Sequence, residues 1–397
     1  MGGTGMRIAF AAVILFGVLS SSASAQMWGG AEYLYFSRLS GSSAPVTTGP
    51  GGLSSLDSGG AASGYRFTIG GYIGQFEVEA AFMNIENMSD SASGTFANPL
   101  SFDNPANDTA GFGAGVPVTH LPLSSGLYRA ATYAGSGGVG DETTEVEFLQ
   151  PGATYHLESF TDIKSGEVNF GTNRNLNPWR VGIGYRTFLI KDGASSLFAG
   201  TFDAVDITGG VGPLNNGLSN DALVAAGYTS VSGGADGFDS AASLNGPDTL
   251  AIYSNGYARN ELHGAQLNGA YQIYPLDWLT VEVFGKAGLF YNTVQATVTE
   301  QLIGSGPNDD SVYQRSFSGK KHAAAFGGTL GVKGMIPITD YINVTAGYEA
   351  MFFSGIGVGS RQADGIETSL TGTQSYVPRT SNSLIVHGGT VGLQLTW

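Results

Sequence analysis

The sequence contains no cysteine. That excludes disulfide scaffolds and thiolate metal sites, even for a chain bound for an oxidising compartment. Charged residues are scarce at 12%, and Lys plus Arg number only 17 against 32 Asp plus Glu. A formal net charge of −15 with no basic cluster argues against nucleic acid as a partner, because phosphate binding needs grouped Lys and Arg. Beyond Gln26 no apolar run approaches the roughly 20 residues of a spanning helix, and helix periodicity is missing too.

Glycine and aromatic residues are abundant, with Gly at 62, Phe at 22 and Tyr at 18. Disordered chains lack such aromatics, and collagen would impose a strict triplet period. Average polarity with many rings suits a membrane barrel, in which lipid-facing and lumen-facing residues cancel in any window. At the start, Met6 and Arg7 precede an apolar run from Ile8 to Leu19 and the small-residue tail Ala23-Ser24-Ala25. This reads as a secretory signal, residues 1–25, cleaved to leave a mature chain from Gln26.

Period-two alternation then recurs in pieces of about ten to fifteen residues, the length of tilted membrane strands with their rims. The last is clearest: Ile385, Val391, Leu393, Leu395 and Trp397 share one face, opposite Gly388, Thr390, Gly392, Gln394 and Thr396. Ten such strands are expected: Met27–Arg38, Tyr65–Ile73, Phe76–Ile85, Phe160–Thr172, Trp179–Leu189, Arg259–Tyr274, Trp278–Val294, His322–Ile336, Tyr341–Ile356 and a final strand to Trp397. Four short links alternate strictly with five long connections, 39–64, 86–159, 190–258, 295–321 and 357–383. An all-β fold follows: a transmembrane antiparallel up-and-down β-barrel over residues 26–397, with short periplasmic turns and long extracellular loops. The acidic excess is expected in solvated loops, for example Asp192, Asp203, Asp206 and Asp248 in the 190–258 connection.

Trp28, Trp179, Trp278 and Trp397 fall at strand ends assigned to the periplasm, with Tyr72, Tyr274 and Tyr341 beside them. Amphipathic rings concentrate at membrane interfaces, so these residues are expected to form an aromatic girdle. By parity Glu32, Arg66, Glu77, Glu79, Glu167, Arg180, Arg186, Glu282, Lys286, Lys333 and Glu349 point into the lumen. Buried charges must pair or stay hydrated, and ten strands enclose too little space for a wide channel. The expectation is a side-chain-filled interior.

Asn260-Glu-Leu-His-Gly-Ala-Gln-Leu-Asn-Gly269 and Phe284-Gly-Lys-Ala-Gly-Leu-Phe-Tyr-Asn292 resemble paired strands of the porin-like outer-membrane barrels abundant in planctomycetes. Ala31-Glu-Tyr-Leu34, Gly347-Tyr348, Gly355-Ile-Gly-Val-Gly359, Arg361-Gln362 and His387-Gly-Gly-Thr-Val-Gly392 before Trp397 are similar to that family as well. The resemblance covers the strands between about 27 and 397 and is mostly absent from the loops. It implies an outer-membrane barrel and no particular substrate. Trp397 after its alternating residues resembles the signal read by the barrel assembly machinery, the partner expected beside outer-membrane lipid.

The expected function is an envelope, surface-interaction or limited porin-like transport role, with no cofactor. The alternative is an enzyme on the extracellular rim, where His263, His322 and His387 lie; His120 and His156 fall in a loop. Neither G-x-S-x-G nor H-E-x-x-H occurs. Asn308-Asp309-Asp310 and Asp103 with Asp108 offer oxygen atoms without the spacing of a calcium loop. Gly209-Gly210-Val211-Gly212 runs into Pro213 and so lacks the helix start of a phosphate cradle.

Overall fold

A computed structural model describes residues 26–39, 46–49, 51–53, 60–101, 117–120, 145–173, 176, 178–206, 217–218, 220–225, 227–232, 238–239, 248–306, 311–368 and 374–397. The expected leader with its expected cleavage after Ala25, Asp103 with Asp108, the 209–213 glycine cluster and Asn308-Asp309-Asp310 lie outside these residues.

Ten long strands build the molecule: β1 Met27–Leu39, β2 Ala61–Ile73, β3 Phe76–Thr95, β4 Thr154–Thr172, β5 Trp179–Asp206, β6 Thr249–Leu276, β7 Leu279–Ser305, β8 Val312–Pro337, β9 Ile342–Ile356 and β10 Asn382–Thr396. Each pairs antiparallel with the next. β10 then returns to β1, from Trp28 opposite Thr396 to Leu39 opposite Ile385. Reciprocal bonds of 2.9 Å between the Met27 and Trp397 backbones seal this seam. The sheet is a closed ten-stranded barrel with no edge left to aggregate.

The links at one end are as short as two residues. Gly74 reaches φ 58°, which the β2–β3 hairpin turn requires and which a side chain disfavours. At the other end the strands run further than expected. β5 through β8 continue through much of 190–258 and 295–321, so these stretches are wall before they are loop.

The reason is visible along β7. Near the short-turn end its outward residues are apolar (Val283, Leu289, Tyr291), and Glu282 and Lys286 point inward. Beyond Asn292 the pattern inverts: Val294, Ala296 and Val298 are buried inside, while Thr293, Gln295, Thr297 and Thr299 lie outside. Apolar-out becomes apolar-in, the arrangement of a barrel wall standing in water. Period-two pairing continues through that inversion without a break.

The expected loop acids are corrected by the same extension. Asp192, 1% exposed, is an interior residue of β5, and Asp248 is buried beside the start of β6. Trp28 and Tyr72 are corrected too. Trp28 shares parity with Glu32 and is 5% exposed, so it points into the lumen, not to lipid. Gly70 makes this possible, since a Cβ there would stand 2.4 Å from the indole. Tyr72, two residues on, is inside as well. At the short-turn end Trp179 and Trp397 point outward, and Trp278, Tyr274 and Tyr341 stand exposed at the turns, all five more than half exposed; the Tyr274 hydroxyl donates to the inward Gln272 at 2.9 Å.

Candidate functional site: the filled lumen

The interior is stacked in tiers. All eleven charges expected in the lumen are there, in the short-turn half, and opposite signs interleave between strands. Arg66 reaches Glu32 at 3.1 Å and bridges on to Glu349 of β9. Lys333 holds the other side of Glu32. Arg180 sits 3.1 Å from Glu79 and 3.5 Å from Glu77. Arg186 lies 3.3 Å from Glu167, which also takes Lys286. Amides extend the network: Gln266 donates to Glu167 at 2.9 Å, Asn169 to Glu79 at 3.3 Å and Gln272 to Glu282 at 3.2 Å. Burying charge is tolerable only with this degree of pairing. The cavity left among Glu32, Arg66, Glu79, Arg180, Lys286 and Lys333 measures about 100 Å³. That is room for waters and not for a passage.

Directly above lies an apolar tier that sequence reasoning missed. Leu34, Phe36, Met83, Ile85, Phe188, Ile190, Phe290, Met351 and Phe353 form one buried cluster across the barrel. Phe188 meets Phe290 at 5.6 Å and Phe353 at 4.8 Å between ring centroids, both edge-on. Parity carried a signal for it. Leu34 follows Glu32, Phe188 follows Arg186, and Met351 follows Glu349, each two residues on and therefore on the same inward face. Arg186 joins the two tiers, its guanidinium 4.2 Å from the Phe188 ring centroid.

The third tier is polar and holds a loop. Arg38 donates to Asp192 and Thr161, each at 2.8 Å, and all three are buried. The other Asp192 oxygen accepts the Gly359 N–H at 2.7 Å. Asn260 accepts from the Gly357 N–H at 2.7 Å and donates to the Gly357 carbonyl at 2.8 Å. The β9–β10 connection thus enters the barrel and is fixed to its wall. A Cβ on Gly256 would stand 2.2 Å from the Gly359 carbonyl oxygen, so backbone packs on backbone there. Gln362, fully buried, ties the loop to itself through Val358, Tyr376 and Arg379.

An upper cap closes the long-loop end. Phe96, Phe198, Phe202, Phe238, Leu250, Leu302 and Tyr313 are buried together. Beside them Tyr228 donates to Glu300 at 3.1 Å, and Arg315 pairs with the same carboxylate. Burial pushes the Tyr228 phenol well above its ordinary range; Arg315 opposes the shift and Glu300 adds to it. Burial likewise raises the Tyr376 phenol.

The histidines expected at the rim face outward and stand beside tyrosines of neighbouring strands. His263 Nδ1 is 3.5 Å from the Tyr185 hydroxyl. His322 stacks on Tyr291 at 5.4 Å, and His387 meets Tyr348. They ring the wall at the level where the outward face turns from apolar to polar. His156 lies 2.9 Å from Glu158 higher on the outer wall.

No protein-family model and no curated protein matches the chain in sequence. Solved structures give loose likenesses. The outer membrane protease OmpT from Escherichia coli aligns at 9% identity over 95% of this chain and 100% of that one, with a TM-score of 0.34. The Pseudomonas putida toluene transporter TodX aligns at 6% identity over 95% and 90%, with a TM-score of 0.21. The Ralstonia pickettii toluene transporter TbuX aligns at 9% identity over the same shares, with a TM-score of 0.22. Superposition this loose transfers no residue and no activity, and the barrel stands on the strand pairing of this chain alone.

Proposed function

We propose that this protein is an outer-membrane barrel with a sealed lumen, acting in the cell envelope through its outer surface and its long-loop end and not by conducting solutes. The membrane placement rests on the outward face. On β5 the apolar outward stretch runs from Trp179 to Leu189 and ends at Lys191, the about 9–11 residues a tilted strand needs to cross hydrocarbon. Exposed Trp179, Trp278 and Trp397 mark one interface, and the Tyr–His pairs mark the other. The short turns then face the periplasm and the extended wall faces the exterior.

The observation that carries the closed reading is the contact of Phe188 with Phe353 across the lumen, above one charged tier and below an inserted loop. Reconstituted protein should shift its gel mobility on boiling, as folded barrels do, and give no steady current in planar bilayers. A large, reproducible wild-type conductance would overturn the sealed reading in favour of limited porin-like transport.

A further inference from the structure

The outward wall of β3–β6 carries an ordered series of chemistries that a sealed lumen does not require. Strand register sets it out in rows. On the short-turn side Phe170, Ile183 and Leu267 lie side by side, followed by Val168, Tyr185 and Ala265. Two rows higher Lys164 stands on β4, paired with Glu86, beside Leu189 and Glu261. Asp162, Lys191 and Arg259 form the next row, with Arg259 2.5 Å from Glu261. Three cations thus collect where the apolar stretch ends, together with the carboxylates Glu86, Glu261 and Asp162.

Above the cations comes a flat aromatic platform. Phe160 and Tyr257 flank Gly193 in one row, with centroids 6.3 Å apart and planes within 29°. Gly193 is required for this: a Cβ there would lie 2.2 Å from the Phe160 ring. The row beyond is polar, Ser91, Glu158, Ser195 and Asn255. These groups, with Asp90 and Tyr253, line an open groove of about 530 Å³. A β-bulge between Ile85 and Met88 bends β3 beside it, where Asn87 sits at φ 64° and donates its N–H to Asp162 at 2.8 Å. Asn255 donates to the Tyr253 hydroxyl at 3.2 Å, which holds one side of the groove.

We propose that this wall binds a phosphorylated glycolipid of the outer leaflet. The apolar rows take acyl chains, and Lys191, with Lys164 and Arg259 exchanging their partners Glu86 and Glu261, takes phosphate at the edge of the hydrocarbon. The Phe160–Tyr257 platform and the groove above take the sugar, through ring faces and through carboxylate, amide and hydroxyl groups. A simple phospholipid would satisfy the cations and leave the platform and groove empty. A soluble sugar would leave the cation row unused. The order apolar, charged, aromatic and polar along one wall matches one amphiphile, and the proposal rests on the outer-membrane placement above.

The test uses the full folded protein in neutral detergent. Three probes are compared by native mass spectrometry: a phosphorylated acyl-glucosamine disaccharide, its dephosphorylated form and phosphatidylglycerol. Wild type should retain one equivalent of the first at least tenfold better than either of the others, and inorganic phosphate should not displace it. Lys191→Gln and Tyr257→Thr should each lower retention about tenfold while leaving heat-modifiable gel mobility unchanged. Should Tyr257→Thr fold poorly, Lys191→Gln decides the matter. Equal retention of all three lipids, displacement by inorganic phosphate, or variants that bind like wild type would overturn the site. Wild type that folds and inserts but holds no glycolipid defeats this proposal alone; failure to insert defeats the membrane placement itself.

Discussion

Phe188 of β5 stands edge-on to Phe353 of β9, with ring centroids 4.8 Å apart and planes at 84°. Three strands separate β5 from β9 by the pairing that runs through β6, and five by the pairing that runs through β4 and β1, so the rings meet across the interior and not along the wall. Phe188→Ala should cost about 3–5 kcal/mol, because it removes a filled aromatic position and leaves a cavity. The urea midpoint of refolded protein in micelles or vesicles would show the loss. Conductance should stay absent, since the charged tier and the inserted loop remain. A steady current from Phe188→Ala alone would make the apolar tier the sole seal and contradict the layered reading.

The two interior arginines are not equivalent. Arg66 is the cation paired with Glu349, while Glu167 keeps Lys286 when Arg186 is lost. Removing one partner of a buried pair costs about 3–5 kcal/mol when the other charge is left alone. Arg66→Ala should therefore destabilise the barrel more than Arg186→Ala does, and Glu349→Gln should recover part of the loss in the Arg66→Ala background. Equal unfolding midpoints for the two single variants would count against these pairings.

Asn260 fastens the β9–β10 loop through two hydrogen bonds to Gly357. Asn260→Ala should weaken loop docking by about 2 kcal/mol, on the order of 30-fold in the opening equilibrium. Limited trypsin digestion reads this directly, because Arg361 and Arg379 lie in the loop. Faster cleavage there, with the wall strands still protected, is the expected result. Unchanged cleavage would mean that Asp192 and Gln362 alone hold the loop.

Tyr228 gives the upper cap an alkaline limit. Its folded phenol is held well above the ordinary range, whereas an unfolded tyrosine ionises near about pH 10. The stabilisation from the neutral phenol is complete below that value and falls as pH rises past it, because only the undocked state can release the proton freely. Hydrogen exchange across 229–232 should accelerate above about pH 10. Tyr228→Phe should flatten that dependence, and an identical pH profile in the variant would remove Tyr228 as its cause.

Much of the fold was legible because a barrel wall writes itself into a chain as period two. Ten strands, their order and the alternation of short and long links follow from that period and its interruptions. Charged side chains were the surest markers of inside. Glu32, Glu167 and Arg186 each fix the parity of their strands, and that parity puts the eleven charges on the inward face.

Parity by itself could not say which face of an apolar stretch looks inward. Tyr33-Leu34-Tyr35-Phe36 is apolar on both faces, and only registration with Glu32 assigns Leu34 and Phe36 to the lumen. Trp28 misled for a related reason. Its position at a strand end suits a girdle, but its parity and the space left by Gly70 put it inside.

The sequence by itself determined an even-stranded barrel with charges within, because local alternation, charge and turn residues act over a few residues each. Tertiary structure alone decided that the lumen is stoppered by Phe188 against Phe353 and by a loop held on Asn260 and Asp192. It likewise decided that cations, an aromatic platform and a polar groove share one outer wall. Those contacts join residues about 100 or more positions apart, and no period in the chain encodes which distant side chains closing the barrel will bring together.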